Sequence, residues 1–351
     1  MKKSAILFLV FALCTFNVGC GGNKTNDANV FYYTYSDTYI SNVRSSLDKA
    51  LSDAEISFQD HDSNGNQTTQ TEQVQTAVTK GTKVLAVNLV NTGSDDAARG
   101  IVNLAKGANV PLVFFNREVS DDIVNSYDKC IFVGTDAQEA GHMQGEMIGE
   151  YVNENFDKID LNKDGKISYI LFKGEEGNNE AIYRTQYAVE DANKILSANG
   201  RENLVFYDAS NPNKYLVDKN GQWSAAAAND YMTTALASYN DSNKNMIELA
   251  ICNNDGMAEG VISALNSSGY NTGGDKMIPV FGVDATDAAK ELIKDGKMTG
   301  TIKQDAKGMA DTITLIITNA LANKELMTGT ENMNVDEKVR KIRIPYSKYL
   351  G

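Results

Sequence analysis

Residues 110–116 read Val-Pro-Leu-Val-Phe-Phe-Asn, and residues 278–284 read Ile-Pro-Val-Phe-Gly-Val-Asp. Each is a short apolar run that ends in a polar residue, and a similar run precedes each one, at 83–89 and 247–253. Short apolar runs separated by helical stretches are typical of parallel strands in a sheet that helices cover on both faces. The repeated pattern predicts two α/β halves of similar build that face each other.

The length of the chain also indicates two domains, because 351 residues are too many for a single hydrophobic core. Further apolar runs are candidate strands, and together they are enough for two sheets: 30–33, 84–90, 112–115, 131–133, 169–172, 204–207, 247–251, 280–283 and 300–302. Helix-like segments lie between them, so the sheets are expected to be mainly parallel. The predicted fold class is α/β.

The N-terminus has the features of a secretion signal. Two lysines precede an apolar stretch at 5–16, which is too short to span a bilayer as a mature helix. Residues 17–20, Asn-Val-Gly-Cys, resemble a bacterial lipobox. We predict a signal peptide at 1–19, a lipidated Cys20 and a polar tether over 20–29. Simple cleavage near this point is the alternative.

Charge and cysteine content narrow the function. Removal of the signal takes away two lysines and changes the formal charge from −13 to −15. So acidic a chain is a poor nucleic-acid binder, because phosphate contacts need clustered Lys and Arg. Cys14 leaves with the signal, and Cys130 and Cys252 lie in apolar runs. We expect these two to be buried, unpaired thiols, and a disulfide is the alternative.

Polar residues follow several predicted strands, at the edge where open α/β sheets bind ligands. They are Asp37, Asn116, Asn254, Asp255 and Asp284. Carboxylates and amides both pair with hydroxyl groups, so the set suits a neutral polyol. Tyr39 and Trp223 are candidates to pack against the face of a sugar ring. Taken singly, each polar residue is also explained as a loop or helix cap, and Trp223 as part of a core.

Residues 160–168 read Asp-Leu-Asn-Lys-Asp-Gly-Lys-Ile-Ser, which is the oxygen-donor spacing of an EF-hand calcium loop. Position 12 of that pattern should be an acid, but it is Leu171, within an apolar run at 169–172. A distant acid must therefore close the site. We interpret this segment, called here the Asp160 loop, as a calcium site, and an Asx-rich turn is the alternative.

The chain resembles the periplasmic galactose- and glucose-binding proteins over about residues 30–347. The blocks that carry the resemblance are 111–118, 126–129, 133–136, 160–165, 253–255 and 278–284. The resemblance implies a periplasmic binding protein type I fold, in which two Rossmann-like parallel-sheet domains are joined by a three-segment hinge. It implies a first domain of 30–134 plus 306–335 and a second of 135–305 plus 336–351.

The same resemblance implies the ligand residues. Hexose contacts are expected at Asp37, Asn116, Arg184, Asn254 and Asp284, with the sugar stacked between Tyr39 and Trp223. Phe is usual in the family at position 39. Three further positions depart from the family pattern: Asn178 replaces His, Glu180 replaces Asp, and Gln304 replaces Asn. These departures leave the choice between glucose and galactose open.

The resemblance also implies that Glu248 closes the Asp160 loop. A lone acid inside an apolar strand is costly, which independently favours a cationic partner for Glu248. The implied calcium ligands are Asp160, Asn162, Asp164, the Lys166 carbonyl, Ser168 and Glu248. Ser168 stands where the family has Gln and is the weak member. The ion is expected to be structural and remote from the sugar.

The function implied is that of an extracytoplasmic, lipid-anchored monomer that binds D-glucose or D-galactose and delivers it to an ABC permease. A chemoreceptor is a second candidate partner. We expect no catalysis: a glycoside-acting enzyme is disfavoured because the chain has two His and no nucleophile motif. A sugar-responsive repressor is disfavoured by the N-terminal signal. A sugar-sensing ectodomain without transport remains an alternative.

Overall fold

The computed structural model describes residues 25–274, 276–336 and 338–351. The chain first builds nine alternating elements: β1 (Ala28–Tyr32), α1 (Thr38–Asp53), β2 (Phe58–Asp62), α2 (Gln67–Thr79), β3 (Val84–Val87), α3 (Asp95–Gly107), β4 (Leu112–Phe115), α4 (Asp121–Asn125) and β5 (Cys130–Gly134). The predicted signal peptide and the predicted lipidation at Cys20 lie outside the described residues.

The chain then enters a second set of elements: α5 (Ala137–Ile159), β6 (Ser168–Lys173), α6 (Asn179–Ala198), β7 (Val205–Phe206), β8 (Leu216–Val217), α7 (Ala225–Ser238), β9 (Leu249–Cys252), α8 (Asp255–Ser267), β10 (Val280–Asp284), α9 (Asp287–Lys294) and β11 (Gly300–Gln304). It ends with α10 (Ala306–Leu321), β12 (Asn334–Asp336), β13 (Lys341–Arg343) and β14 (Tyr346–Tyr349).

These strands form two sheets. The first has the order β12-β13-β5-β4-β3-β1-β2, and the second has the order β14-β11-β10-β9-β6-β7, with β8 beside β6. Neighbouring strands are parallel except for the β12–β13 and β11–β14 pairs. Every predicted apolar run contains a strand, and the prediction of two α/β domains is confirmed. The edge strand β2, Phe-Gln-Asp-His-Asp, was not predicted because it lacks an apolar run.

Helices cover both faces of each sheet, which explains why the central strands are apolar without alternation. All four residues of β4 are fully buried. Val113 and Phe115 pack in one cluster with residues of α1 and α10. Leu112 and Phe114 pack on the opposite face with residues of α2 and α3. The second sheet is sandwiched in the same way, with α7 and α8 on one face and α5 and α6 on the other.

The chain passes between the domains three times, after β5, after β11 and after β13. The third passage was predicted at residue 335, and this boundary is wrong. β13 pairs with β5 in parallel, with Ile342 opposite Val133, so the first domain extends to Arg343. A strand of only three residues that begins and ends with a basic side chain has no apolar signature. Lys341 is nevertheless buried, because Glu118 and Asp121 accept from its ammonium group at 2.9 and 2.7 Å.

The two crossing segments after β5 and after β13 lie side by side. The Ile344 N–H donates to the Gly134 carbonyl at 2.7 Å, and the Arg343 guanidinium donates to the Thr135 carbonyl at 2.7 Å. The hydroxyls of Thr135 and Tyr346 are 2.8 Å apart. Two of the three crossing segments are thus hydrogen-bonded to each other.

Cys130 and Cys252 are buried and unpaired, as predicted. They belong to different sheets, and each lies on a central strand. Burial raises the pKa of the Cys130 thiol to about 12. Both therefore behave as small apolar core residues. None of the described helices is long and apolar enough to cross a membrane.

Candidate functional site

A cavity of about 370 Å³ lies between the two domains, beyond the carboxyl ends of their strands. The first domain contributes Tyr33, Asp37, Tyr39, Ile40, Asn116 and Arg117. The second contributes Asn178, Glu180, Arg184, Trp223, Asn254, Asp284 and Gln304. All ten predicted sugar contacts line this one cavity.

On the first-domain side, Asp37 is both a helix cap and a cavity residue. Its Oδ1 accepts from the Ile40 N–H at 2.7 Å, which caps α1, and its Oδ2 accepts from the Tyr33 hydroxyl at 2.7 Å. Asn116 follows β4 and is held by the Asn88 amide, which donates to its Oδ1 at 3.3 Å. The carboxylate and the amide are therefore fixed in orientation before any ligand arrives.

On the second-domain side, Asn178 and Asn254 cap α6 and α8 and face the cavity. Glu180 and Arg184 lie one turn apart on α6, and both are buried. The Arg184 guanidinium donates to the Asn253 carbonyl, to Gln304 Oε1 and to the Tyr346 hydroxyl at 2.9, 3.2 and 3.0 Å. These bonds fix the plane of the guanidinium at the base of the cavity.

Five buried polar atoms of the cavity lining have no hydrogen-bond partner among the described residues. Glu180 contributes two acceptors, Oε1 and Oε2. The other three are N–H donors: Arg117 Nε, Arg184 Nε and Gln304 Nε2. An unsatisfied buried group of this kind costs ~1–3 kcal/mol. The lining thus calls for a ligand that both donates and accepts hydrogen bonds.

Burial raises the pKa of two of the cavity acids, Asp284 and Glu180. It raises the pKa of the Asp284 carboxyl well above its usual range, although nearby Arg184 opposes the shift. Burial also raises the pKa of Glu180, again against the effect of Arg184. For Arg184 burial acts to lower the pKa, but Tyr346, Asp284 and Glu180 outweigh it and the pKa is raised. Arg184 therefore stays charged, and it lies next to two carboxyls whose pKa values are raised by burial.

The backbone is unusual at three lining positions. Asn116, Trp223 and Asp284 have φ angles of 62°, 55° and 128°, all in the region that favours glycine. Such conformations cost ~1–3 kcal/mol each and cluster at binding sites. Asn116 and Asp284 end the equivalent strands β4 and β10 of the two sheets. The repeat seen in the sequence therefore places one strained polar residue on each side of the cavity.

The aromatic wall depends on a glycine. Trp223 is 8% exposed and lies over Gly174, where an added Cβ would be 2.1 Å from the indole Cδ2. Tyr39, on the other domain, is 5% exposed and lies in the same cavity. Both predicted rings thus line the cavity, one from each domain.

Asp255 was a candidate from its position after a strand, but it does not line the cavity. Its Oδ1 accepts from the Thr301 hydroxyl at 2.6 Å, and its Oδ2 accepts from the Thr286 N–H at 2.8 Å. Burial raises its pKa to about 7. Asp255 therefore ties the loop after β10 to β11, next to Asp284.

Tyr33, Ile40 and Arg117 line the cavity and were not predicted. Arg117 directly follows Asn116 in one of the sequence blocks that carry the family resemblance, so a basic residue next to a strand-end amide was the available signal. Tyr33 directly follows β1 and had no such neighbour. Ile40 lies in the first turn of α1, where an apolar residue is ordinary.

The Asp160 loop folds around its own polar side chains. Asp160 accepts from the N–H groups of Asp164 and Gly165 at 3.2 and 3.0 Å. Asn162 Oδ1 accepts from the Asp164 N–H at 2.8 Å, and Asp164 Oδ1 accepts from the Lys166 N–H at 2.9 Å. Gly165 has a φ of 78°, which explains glycine at this position.

Glu248 reaches the Asp160 loop from the adjacent strand segment. It is 1% exposed; its Oε1 accepts from the Leu161 N–H at 2.7 Å, and its Oε2 accepts from the Ser168 N–H at 2.9 Å. Burial raises the pKa of Glu248, and these backbone bonds oppose the shift. Ser168 points its hydroxyl elsewhere, to the Met246 carbonyl at 2.7 Å. In the described part of the chain, no three His, Cys, Asp or Glu side chains form a group that could hold a metal ion.

The fold and the position of the cavity are those of periplasmic binding proteins, and the chain belongs to that family: the periplasmic binding protein domain model matches residues 28–325. The family predicted from the sequence is confirmed, and membership implies an extracytoplasmic location. The proteins it resembles bind and transport solutes, so the prediction that the chain is not an enzyme is also confirmed.

Two sugar-binding proteins are similar to this chain over most of its length. The D-galactose/methyl-galactoside binding periplasmic protein MglB of Haemophilus influenzae is 36% identical over 349 residues, which cover 99% of this chain and 96% of the relative. The multiple sugar-binding periplasmic receptor ChvE of Rhizobium radiobacter is 26% identical over 284 residues, which cover 77% of this chain and 71% of the relative.

Solved structures agree on the fold. An ABC transporter solute-binding protein from Bacillus halodurans with bound myo-inositol has a TM-score of 0.68 at 23% identity, covering 93% of this chain and 96% of that one. One from Clostridium phytofermentans with bound β-D-glucose has a TM-score of 0.69 at 19% identity, covering 92% of this chain and 93% of that one.

Proposed function

We propose that this protein binds D-glucose or D-galactose as the substrate-binding component of an ABC sugar importer. The observation that carries the proposal is the set of partnerless polar atoms around a small cavity: two acceptors on Glu180 and three N–H donors. A hexose hydroxyl both donates and accepts, so one monosaccharide can satisfy the whole set. The rings of Tyr39 and Trp223 offer faces for its C–H groups.

The identity of the relative from Haemophilus influenzae supports a galactose-type ligand. Glu180 and Gln304 are each one methylene longer than the family residues named above, so they take up more of the cavity. Titration with both epimers measures their rank order.

The charge of the cavity supports a neutral ligand. Three acids line it: Asp37, Glu180 and Asp284. Of the two arginines in the lining, Arg184 makes no ion pair in the described part of the chain. The other lining cation, Arg117, is paired with Glu175 at 2.6 Å. A sugar phosphate or uronate would bring a negative charge into a desolvated site where burial already disfavours the charged form of Glu180 and Asp284, which is costly.

Calorimetric titration with glucose, galactose, ribose, xylose and glucuronate tests the ligand. Heat is expected with at least one of the two hexoses, with weaker or no heat from the pentoses and none from glucuronate. The absence of heat with both hexoses would contradict the proposal, and binding of glucuronate would contradict the charge argument.

We further propose delivery to a permease by a lipid-anchored monomer, with a chemoreceptor as a second partner. The tether was predicted over residues 20–29, but β1 begins at Ala28, so only the polar residues before β1 support the anchor. Metabolic labelling with radioactive palmitate should mark the wild-type protein and not the Cys20→Ala variant. Loss of hexose uptake on deletion supports transport; unchanged uptake would favour the sensing alternative.

A structural calcium ion in the Asp160 loop is a second proposal. Glu248 supports it, since this buried carboxylate takes part in none of the ion pairs found among the described residues. Asp160, Asn162, Asp164, the Lys166 carbonyl and Glu248 would supply oxygen ligands, and Ser168 would act through water because its hydroxyl is bonded to Met246. Calcium should raise the melting temperature of the chelator-treated protein; an unchanged melting temperature would contradict this.

A further inference from the structure

The two domains meet at the mouth of the cavity through one loop from each. The first-domain loop follows β3 and includes Thr92 and Gly93, and the second-domain loop follows β6 and includes Gly177 and Asn178. The Asn178 amide donates to the Thr92 hydroxyl at 3.4 Å. An added Cβ on Gly177 would be 3.4 Å from the Gly93 Cα, so the two backbones are in near contact.

Arg117 joins these two loops. Its Nη2 donates to the Val90 carbonyl of the first-domain loop at 2.9 Å and to Glu175 Oε2 of the second-domain loop at 2.6 Å. The side chains are 5% and 22% exposed. Among the ion pairs between described residues, this one alone joins the two domains. A charge-assisted bond this short in a nearly buried position is a strong one.

Arg117 also reaches the ligand side of the cavity. The Tyr33 ring packs against the guanidinium, with Cζ 4.4 Å from the ring centroid, and the Tyr33 hydroxyl holds Asp37. Arg117 lines the cavity, and its Nε has no hydrogen-bond partner among the described residues. The same side chain therefore contacts both loops, the ring that holds Asp37, and the cavity.

We propose that the Arg117–Glu175 ion pair is a latch that forms when the domains close and sets how long the sugar stays bound. The inference rests on the proposed sugar-binding function. Glu175 belongs to the second domain, so hinge opening must separate it from Arg117, while the Val90 bond within the first domain persists. Loss of the latch should act on the dissociation rate, because encounter with the open cleft does not require it.

Glu175→Gln tests the latch, and Glu176→Gln is the matched control. Glu176 is the next residue, is 56% exposed and pairs with Lys173 inside its own domain. The single Trp, Trp223, lines the cavity and reports binding by stopped-flow fluorescence. Glu175→Gln should raise the dissociation rate about 10- to 100-fold and change the association rate less than about threefold. Glu176→Gln should leave both within about twofold.

The outcomes separate the latch from the function. If the wild type binds neither hexose, the proposed function is wrong, and the latch proposal is then wrong as well. If the wild type binds and Glu175→Gln dissociates at the wild-type rate, the latch alone is wrong. Glu175→Asp keeps the charge on a shorter arm and should lie between wild type and Glu175→Gln; a melting temperature equal to wild type shows that each variant is folded.

Discussion

The cavity and the Asp160 loop both contain a buried carboxylate, but the two carboxylates differ in the hydrogen bonds that their oxygens accept. Glu180 in the cavity is 6% exposed, and neither of its oxygens has a partner among the described residues. Glu248 at the loop is 1% exposed, and both of its oxygens accept backbone N–H groups. Equal burial thus accompanies two arrangements: the Glu248 carboxylate is bonded by backbone N–H groups of its own domain, and the Glu180 carboxylate has both oxygens available to a ligand.

The two regions also differ in their place in the fold. The cavity takes its lining from both domains, so occupancy is linked to the angle of the hinge. The Asp160 loop connects α5 to β6 and is bonded by Glu248, all within the second domain. Changes at the cavity should therefore alter binding with little effect on folding, and changes at the loop should do the reverse.

The largest effect is expected from Asp284→Ala. This removes a buried cavity carboxyl beside Arg184 and should weaken hexose binding about 1,000-fold or more. The calcium-dependent rise in melting temperature should be unchanged. Calorimetric titration and thermal melting, each with and without chelator, measure both effects. Loss of the calcium response together with binding would show that the two regions are not independent.

Glu248→Gln should lower the free energy of unfolding by about 2–3 kcal/mol, because a charged acceptor of buried N–H groups becomes a neutral amide. Hexose affinity should stay within about twofold of wild type. Chemical denaturation with and without chelator measures the change. Glu190→Gln, on the exposed face of α6, is the control and should have little effect on stability. A large loss of sugar affinity in Glu248→Gln would show that the Asp160 loop and the cavity are not independent.

Gly174→Ala should weaken hexose binding about 10- to 100-fold, because the new Cβ would overlap the Trp223 ring and displace it. The emission maximum of the single Trp should shift at the same time. Gly100→Ala in α3 is the matched control, since an added Cβ there meets nothing within 4 Å. Normal affinity in Gly174→Ala would mean that the indole does not contact the sugar.

The smallest effect concerns Asp60 on β2, which lies outside the cavity and whose partly buried carboxyl is next to that of Asp48. Burial raises its pKa to about 8, and Asp48 adds to the shift. Because this folded-state pKa lies above the unfolded value near 3.8, its contribution to stability is fully present below about pH 4 and is lost as the pH rises through about 8.

Asp60→Asn should therefore raise the melting temperature by a few degrees at pH 8 and change it less at pH 5. Melting curves of both proteins between pH 4 and pH 9 measure the difference. A buried carboxyl pair away from the cavity would then share a proton within the protein, whereas the oxygens of Glu180 have no partner among the described residues. Parallel curves for the two proteins would contradict it.

Strand ends are local signals, so the residues themselves pointed to Asp37, Asn116, Asn254 and Asp284. Four other lining residues were predicted only through the family resemblance: Asn178, Glu180, Arg184 and Gln304. Asn116 and Asp284 end apolar runs, and both line the cavity. Arg117 and Glu175 are 58 residues apart and on different domains, so no local pattern relates them. Glu248 was placed at the loop through the family resemblance, since the loop and that strand meet only in the folded second domain. β13 was missed because Lys-Ile-Arg has a single apolar residue, Ile342, between two basic ones whose charges are paired with acids in the folded domain.

The order in which the strands are joined has a consequence for synthesis and export. The first sheet includes β13, which is made only after all of the second domain except β14, and the second sheet has β14 at its edge. Neither sheet can be completed from a growing chain. We expect the protein to reach its final cooperative stability only after release of the full polypeptide, a property that would keep it open to translocation until its last residues have been made.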